Sequence, residues 1–196
     1  MEGYRIASEE KSTFSAYLGL LILVVLGGGA IYFFMLSQRE MKEVNNYDPN
    51  RPVPAEAVVK SRLSAEAYGV VREGRTQMSF QNQYWDNTRP GIYVDVITGD
   101  PLFSSTDKYD SGLGMPSFTK PISPDALVQY SDTSHDMQRT GLRAKRSNAH
   151  LGHLLADPKS PSGQNFSTNS AALNFIPLEQ MKARGYEASL PLVQPK

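Results

Sequence analysis

The chain is 196 residues long, with 20 basic and 20 acidic side chains and a formal net charge of zero. That length holds one ordinary domain and something more, and the balanced charge argues against a nucleic-acid binder, which carries a basic surplus. The absence of cysteine excludes disulfides, iron–sulfur clusters, thiolate zinc sites and acylation at a cysteine, and leaves the compartment open.

Residues 1–11 are a short arm. From Ser12 to Gln38 no residue is charged, a run of about 27 positions, against the roughly 20 that cross a bilayer. Leu18 to Leu26 is almost uniformly apolar. Phe14 and Tyr17 mark one interface, and Tyr32, Phe33 and Phe34 the other, as aromatic belts do. A cleaved signal peptide would need a shorter apolar core and small residues at its exit, where Ile31 to Leu36 are bulky. Residues 12–38 are therefore predicted to be a retained transmembrane helix. Gly27, Gly28 and Gly29 would let a neighbouring helix approach its backbone, although glycine is also simply common in membrane helices. The flanking charges, Arg5 and Lys11 against Arg39, Lys42 and Arg51, tilt toward a cytoplasmic domain. A short arm before a single span instead has the layout of a signal anchor that exports its C-terminal domain, and export is the expectation.

Residues 39–62 read as a linker, with Pro49, Pro52 and Pro54 favouring an extended spacer. Residues 63–186 read as one strand-rich domain and 187–196 as a tail. Ser64 to Val71 is predicted to be a helix capped by Ser64. Gly91 to Ile97 alternates at period two, as a strand does. Ser123 to Tyr130 is predicted to be a second helix, with Ser123 as cap and Pro124 at the first position. Ala172 to Pro177 reads as a strand, and Leu178 to Arg184 as a helical turn or two ended by Gly185.

The segment Gln164-Asn165-Phe166-Ser167-Thr168-Asn169-Ser170-Ala171-Ala172-Leu173 resembles the active-site strand of the methionine-R-sulfoxide reductases, the MsrB or SelR family, usually written R-Y-C-I-N-S-A-S-L. Further matches occur in the same order along the chain. They are Tyr84-Trp85-Asp86-Asn87, Gly91 to Ser105, Lys108 to Gly112, Pro116 to Ile122, His135 to Thr140 and Ala149 to His153. The resemblance implies a fold of two antiparallel sheets set against each other, the β-tent, with a few short helices behind the membrane helix. Some family members hold zinc with two C-x-x-C pairs. The equivalent positions here are Asp95, Thr98, Ala144 and Ser147, so the chain resembles the zinc-free branch, and neither a metal nor a cofactor is expected.

The same resemblance identifies a depleted site. His153, Asp157 and Asn169 match polar residues around the family's nucleophile, and His150 matches the other histidine of an H-x-x-H pair. Ser167 stands where the nucleophilic cysteine belongs. Asn165 replaces an arginine whose charge would lower the thiol pKa, and Met115 replaces a tryptophan that walls the substrate methyl group. Sulfoxide reduction oxidises the attacking sulfur itself, so a hydroxyl cannot take its place. Ser167, His153 and Asp157 also have the residue types of a hydrolytic triad, without a Gly-x-Ser-x-Gly elbow or a legible oxyanion hole. A hydrogen-bonded remnant of an old pocket is the favoured reading. His150, His153 and Asp157 as metal ligands is a weaker one.

Aromatic and apolar core positions such as Trp85, Tyr93, Phe103, Phe118 and Phe175 are retained, so packing persists where chemistry does not. The expected role is an inactive, single-span structural subunit in a bacterial inner membrane. Its partners would be the integral membrane subunits of a larger complex, such as a photosynthetic reaction-centre–antenna or another electron-transfer assembly, with the soluble domain on the periplasmic side. The alternative is an anchored binding module for oxidised methionine.

Overall fold

The computed structural model describes residue 31 and residues 46–193. The predicted span at 12–38, with Gly27, Gly28 and Gly29, falls outside the described residues apart from Ile31. Among the described residues no helix is long and apolar enough to cross a membrane.

The second half of the expected linker is not an extended spacer. Helix α1 (Glu56–Arg62) comes after Pro54 and buries Val59, which is 2% exposed. Glu56 on α1 pairs with Arg72 at 3.0 Å. Arg72 lies on α2 (Ala65–Glu73), where the expected cap is present: Ser64 Oγ accepts the Ala67 N–H. Upstream, Tyr47 stacks on Tyr186 with centroids 4.8 Å apart, and its N–H donates to the Arg184 carbonyl. Residues 47–62 therefore belong to the same compact unit as the sheets. The C-terminal segment is packed as well, with a 3₁₀ stretch over Glu187–Leu192 and a buried Val193. Apolar residues such as Val59 and Val193, spaced among prolines and charges, bury more surface than the polar composition of these segments suggests.

Two antiparallel sheets carry the fold. The first has β1 (Gly91–Asp95) between β2 (Pro101–Ser104) and β9 (Leu173–Pro177). Being central, β1 is buried at all five positions, so its alternation in sequence does not correspond to a wet face. The second sheet runs β3 (Lys108–Tyr109), β4 (Ser117–Phe118), β8 (Gln164–Thr168), β7 (His150–Ala156), β6 (Arg139–Ala144) and β5 (Leu127–Asp132). Between the sheets lies an aromatic core. Phe103 of β2 stacks on Phe118 of β4 at 4.2 Å, and Tyr93 of β1 meets the same ring edge-on at 5.0 Å. These contacts join one sheet to the other through side chains that are completely buried.

The helix expected over Ser123 to Tyr130 does not form. Pro124–Ala126 makes a single 3₁₀ turn, with Ser123 Oγ accepting the Asp125 N–H. Leu127 onward is strand, paired residue for residue with β6. The cap is present as expected, but the β6 ladder and the strand preference of Val128 and Tyr130 outweigh the helix start. Beyond β9, the expected terminal turns are present as α3 (Leu178–Met181) and a 3₁₀ turn over Lys182–Arg184, closed by Gly185 in the left-handed conformation.

Candidate functional site

The six-stranded sheet lines up one row of residues on the face away from the aromatic core. Ser117 on β4 opposes Ser167 on β8, Ser167 opposes His153 on β7, His153 opposes Gly141 on β6, and Gly141 opposes Tyr130 on β5. Directly opposed residues of an antiparallel pair point to the same side. Ser167 and His153 are thus neighbours, as the resemblance implies.

The two histidines share that face because of a bulge. Residues three apart on a regular strand face opposite sides. On β7, however, Leu142 opposes Gly152 while Arg143 opposes His150, so one extra residue enters the strand. The His150 and His153 rings consequently lie 5.4 Å apart. Gly152 is required there: a Cβ at its position would sit 2.0 Å from the Ser167 carbonyl oxygen.

The carboxylate on His153 is not Asp157. His153 Nε2 lies 2.6 Å from Asp132 Oδ2, and Arg139 donates to the same oxygen at 3.0 Å. The bond from His153, those from the Ser134 side chain and backbone, and the Arg139 charge hold the Asp132 carboxyl well below the usual range. Asp157 instead accepts the Tyr109 hydroxyl at 2.7 Å, which lowers the pKa of Asp157. Tyr130 places its hydroxyl 3.0 Å from His150 Nδ1. Burial, followed by the neighbouring His153 and Arg143, pushes His150 down to about 4, so its ring is neutral near pH 7. Asp132, Tyr130 and Arg139 are absent from the candidate residues that the sequence offers. The signal for them is the alternation of Val128, Tyr130 and Asp132, which the Ser-Pro helix start obscures.

Asn169 is 2% exposed; its Oδ1 accepts the Gln77 N–H and its Nδ2 donates to the Leu151 carbonyl. Asn165 is 1% exposed, and neither end of its amide has a partner among the described residues. Met115 is half-buried, with Sδ 3.5 Å from Asn82 Nδ2. Around it, Met78, Phe80 and Leu113 are exposed at 67%, 53% and 43%. They are held by a clasp in which Phe80 N–H and Asn82 Nδ2 both donate to the Gly114 carbonyl. Phe80 takes a φ of +62°, costly for an aromatic residue.

Chemically, the described residues do not pose Ser167 as a triad nucleophile. Ser167 Oγ makes no hydrogen bond among the described residues, whereas a triad needs its base within reach of the hydroxyl. His153 Nε2 is occupied by Asp132, and Asp157 lies with Tyr109 rather than with the histidines. Among the described residues, no three His, Asp or Glu side chains converge at metal-binding range. At the positions where zinc-binding members carry their cysteine pairs, Asp95 accepts from the Ile97 N–H and the Thr98 hydroxyl of its own turn. Arg146, between Ala144 and Ser147, reaches across to Asp100 with two bonds of 2.7 Å.

The SelR domain family model matches residues 63–177, more than half of the chain. The matched stretch takes in both sheets and the row through Ser167 and His153. With two antiparallel sheets, the H-x-x-H pair on one face and Ser167 beside it, the chain belongs to the SelR family, that of the methionine-R-sulfoxide reductases.

Proposed function

We propose that this SelR-family chain does not reduce methionine sulfoxide and works as a single-span accessory subunit of a larger membrane complex. One observation carries the loss of activity: Ser167 occupies the nucleophile position of a chain with no cysteine anywhere. The reductase reaction moves two electrons from a thiolate sulfur to the sulfoxide, and no side chain here supplies that sulfur. The uncharged run at 12–38 supports the membrane anchor, and the retained core supports a structural role for the domain. Bacterial inner-membrane energy-transducing assemblies, photosynthetic ones among them, are the class of partner proposed, with the domain on the periplasmic side. The test has two arms. Purified protein with dithiothreitol and a methionine-R-sulfoxide peptide should show no turnover above the protein-free rate. Gentle detergent pull-down should recover the same integral membrane subunits repeatedly, and recovery of the chain alone would overturn the accessory role.

A second reading, an anchored binding module for oxidised methionine, draws on the exposed apolar rim of Met78, Phe80 and Leu113 around Met115. Binding of the sulfoxide peptide without turnover would favour it.

A further inference from the structure

A cavity of about 340 Å³ lies at the β3 edge of the six-stranded sheet, lined by Trp85, Asp86, Lys108, Tyr109 and Asp110 among others. Its volume is at the lower end for small-molecule sites. Lys108 opposes Phe118 in the β3–β4 pair, and its ammonium is half-buried. One of its three N–H donors goes to the Trp85 carbonyl at 2.9 Å. No carboxylate of the described residues comes within ion-pair distance of it, and burial lowers its pKa while Asp86 and Asp110 pull it back up. A partly desolvated cation with donors to spare and no direct ion pair favours an anionic group that completes its hydrogen bonds. Asp86, at the exposed rim of the same cavity, likewise makes no hydrogen bond or ion pair among the described residues. Asp110 uses one oxygen on the Gly112 N–H. Opposite charges thus line one small cavity, acting on each other through space but without a direct ion pair.

From this we infer that the cavity binds a small zwitterion of the free amino-acid class. Lys108 takes the carboxylate, Asp86 takes the ammonium with Asp110 beside it, and an apolar side chain lies against Trp85 and Tyr109. The site touches the end of the Ser167 row at Tyr109, which opposes Ser117, but it does not depend on the loss of reductase activity.

Trp85 is the only tryptophan of the chain and lines this cavity, so its fluorescence follows binding there. The full-length protein would be titrated with L-leucine, with leucinamide, which lacks the carboxylate, and with N-acetyl-leucine, which lacks the ammonium. L-leucine should give a saturable response, and each singly charged analogue should bind about tenfold more weakly or worse. Lys108→Gln should erase the preference for leucine over leucinamide. Asp86→Asn should erase the preference over N-acetyl-leucine. Asp86 is exposed, so this variant keeps the test intact if Lys108→Gln does not fold. No saturable response to L-leucine up to about 10 mM, equal binding of the three ligands, or an unchanged preference in Asp86→Asn would each overturn the assignment.

Discussion

Asp132 and His153 stand on strands that are not neighbours, yet Oδ2 of one lies 2.6 Å from Nε2 of the other. The intervening strand β6 presents Gly141 at this point, and a Cβ there would sit 2.3 Å from the Tyr130 ring. Side chains of β5 therefore reach over β6, Asp132 to His153 and Tyr130 to His150. This leaves the sheet face cross-braced, with its histidines turned to structural partners.

Asp132→Asn should destabilise the protein at pH 7 by on the order of 1–3 kcal/mol, since Arg139 and His153 lose the negative charge of their shared acceptor. The carboxyl is held below its ordinary range, so its contribution is present above its unfolded pKa and lost as pH falls through the folded one. The variant should accordingly lack part of the wild-type acid sensitivity below about pH 4. Urea titrations at pH 7 and pH 3 measure both effects. A comparable loss at pH 7 in Asp157→Asn, whose partner is Tyr109, would contradict the assignment of Asp132.

His150 gives a second and separate pH window. Its folded value of about 4 lies below the unfolded value of roughly 6.5, so between the two the unfolded chain takes up a proton that the folded chain refuses. Stability should fall as pH drops from 6.5 to 4, by about 3 kcal/mol in all. His150→Gln should flatten that slope while leaving the loss below pH 4 in place. Denaturation midpoints at three pH values across the window suffice to test it, and an unchanged slope in the variant would refute it.

Arg146 joins Asp100 to the segment before α1, donating also to the Pro49 and Arg51 carbonyls. Tyr47 bonds the same Asp100, and burial together with that carboxylate raises its hydroxyl pKa to about 12. The Arg146 and Asp100 side chains are 27% and 20% exposed, so the pair is screened less than a surface pair. Arg146→Met should lower stability by about 1–3 kcal/mol and speed cleavage within residues 47–55 by a protease of broad specificity such as proteinase K. Cleavage at the wild-type rate would show that the stacked Tyr47 and Tyr186 rings hold the segment without Arg146.

Ser167→Cys alone should restore little sulfoxide reduction, because Asn165 supplies no positive charge and Met115 no tryptophan wall. An arginine-type stabilisation of a thiolate is worth on the order of 1–2 pKa units, roughly 1.4–3 kcal/mol. Adding Asn165→Arg and Met115→Trp should raise the rate well above that of the single revertant. The fold imposes a cost of its own: Asn165 is 1% exposed, so arginine there must displace its neighbours, and the triple variant should melt below the single one. Single-turnover assays with thermal melts separate the two effects. Equal activity in the single and triple variants would show that the two supporting losses are immaterial.

The sequence by itself determined the family, the two sheets and the serine at the position of the family's cysteine, because ordered short motifs and the absence of a cysteine are properties of the chain. It also determined the Ser64 cap and the Gly185 stop, which depend on neighbours within a few residues. Tertiary structure alone decided what the remaining polar groups do. Asp132 lies 21 residues before His153, and its role depends on the β5–β6–β7 register and on the gap at Gly141. The bulge that turns His150 and His153 to one face leaves no mark in the H-x-x-H spacing. Ser123-Pro124 begins a helix in the sequence and one turn in the structure, since the ladder with β6 outweighs a local cap. Segment 47–62 reads as a spacer because its anchors, Tyr186, Arg184 and Arg146, come from distant parts of the chain. Local preferences are written residue by residue, whereas burial, pairing and charge neutralisation depend on which distant residues the fold brings together.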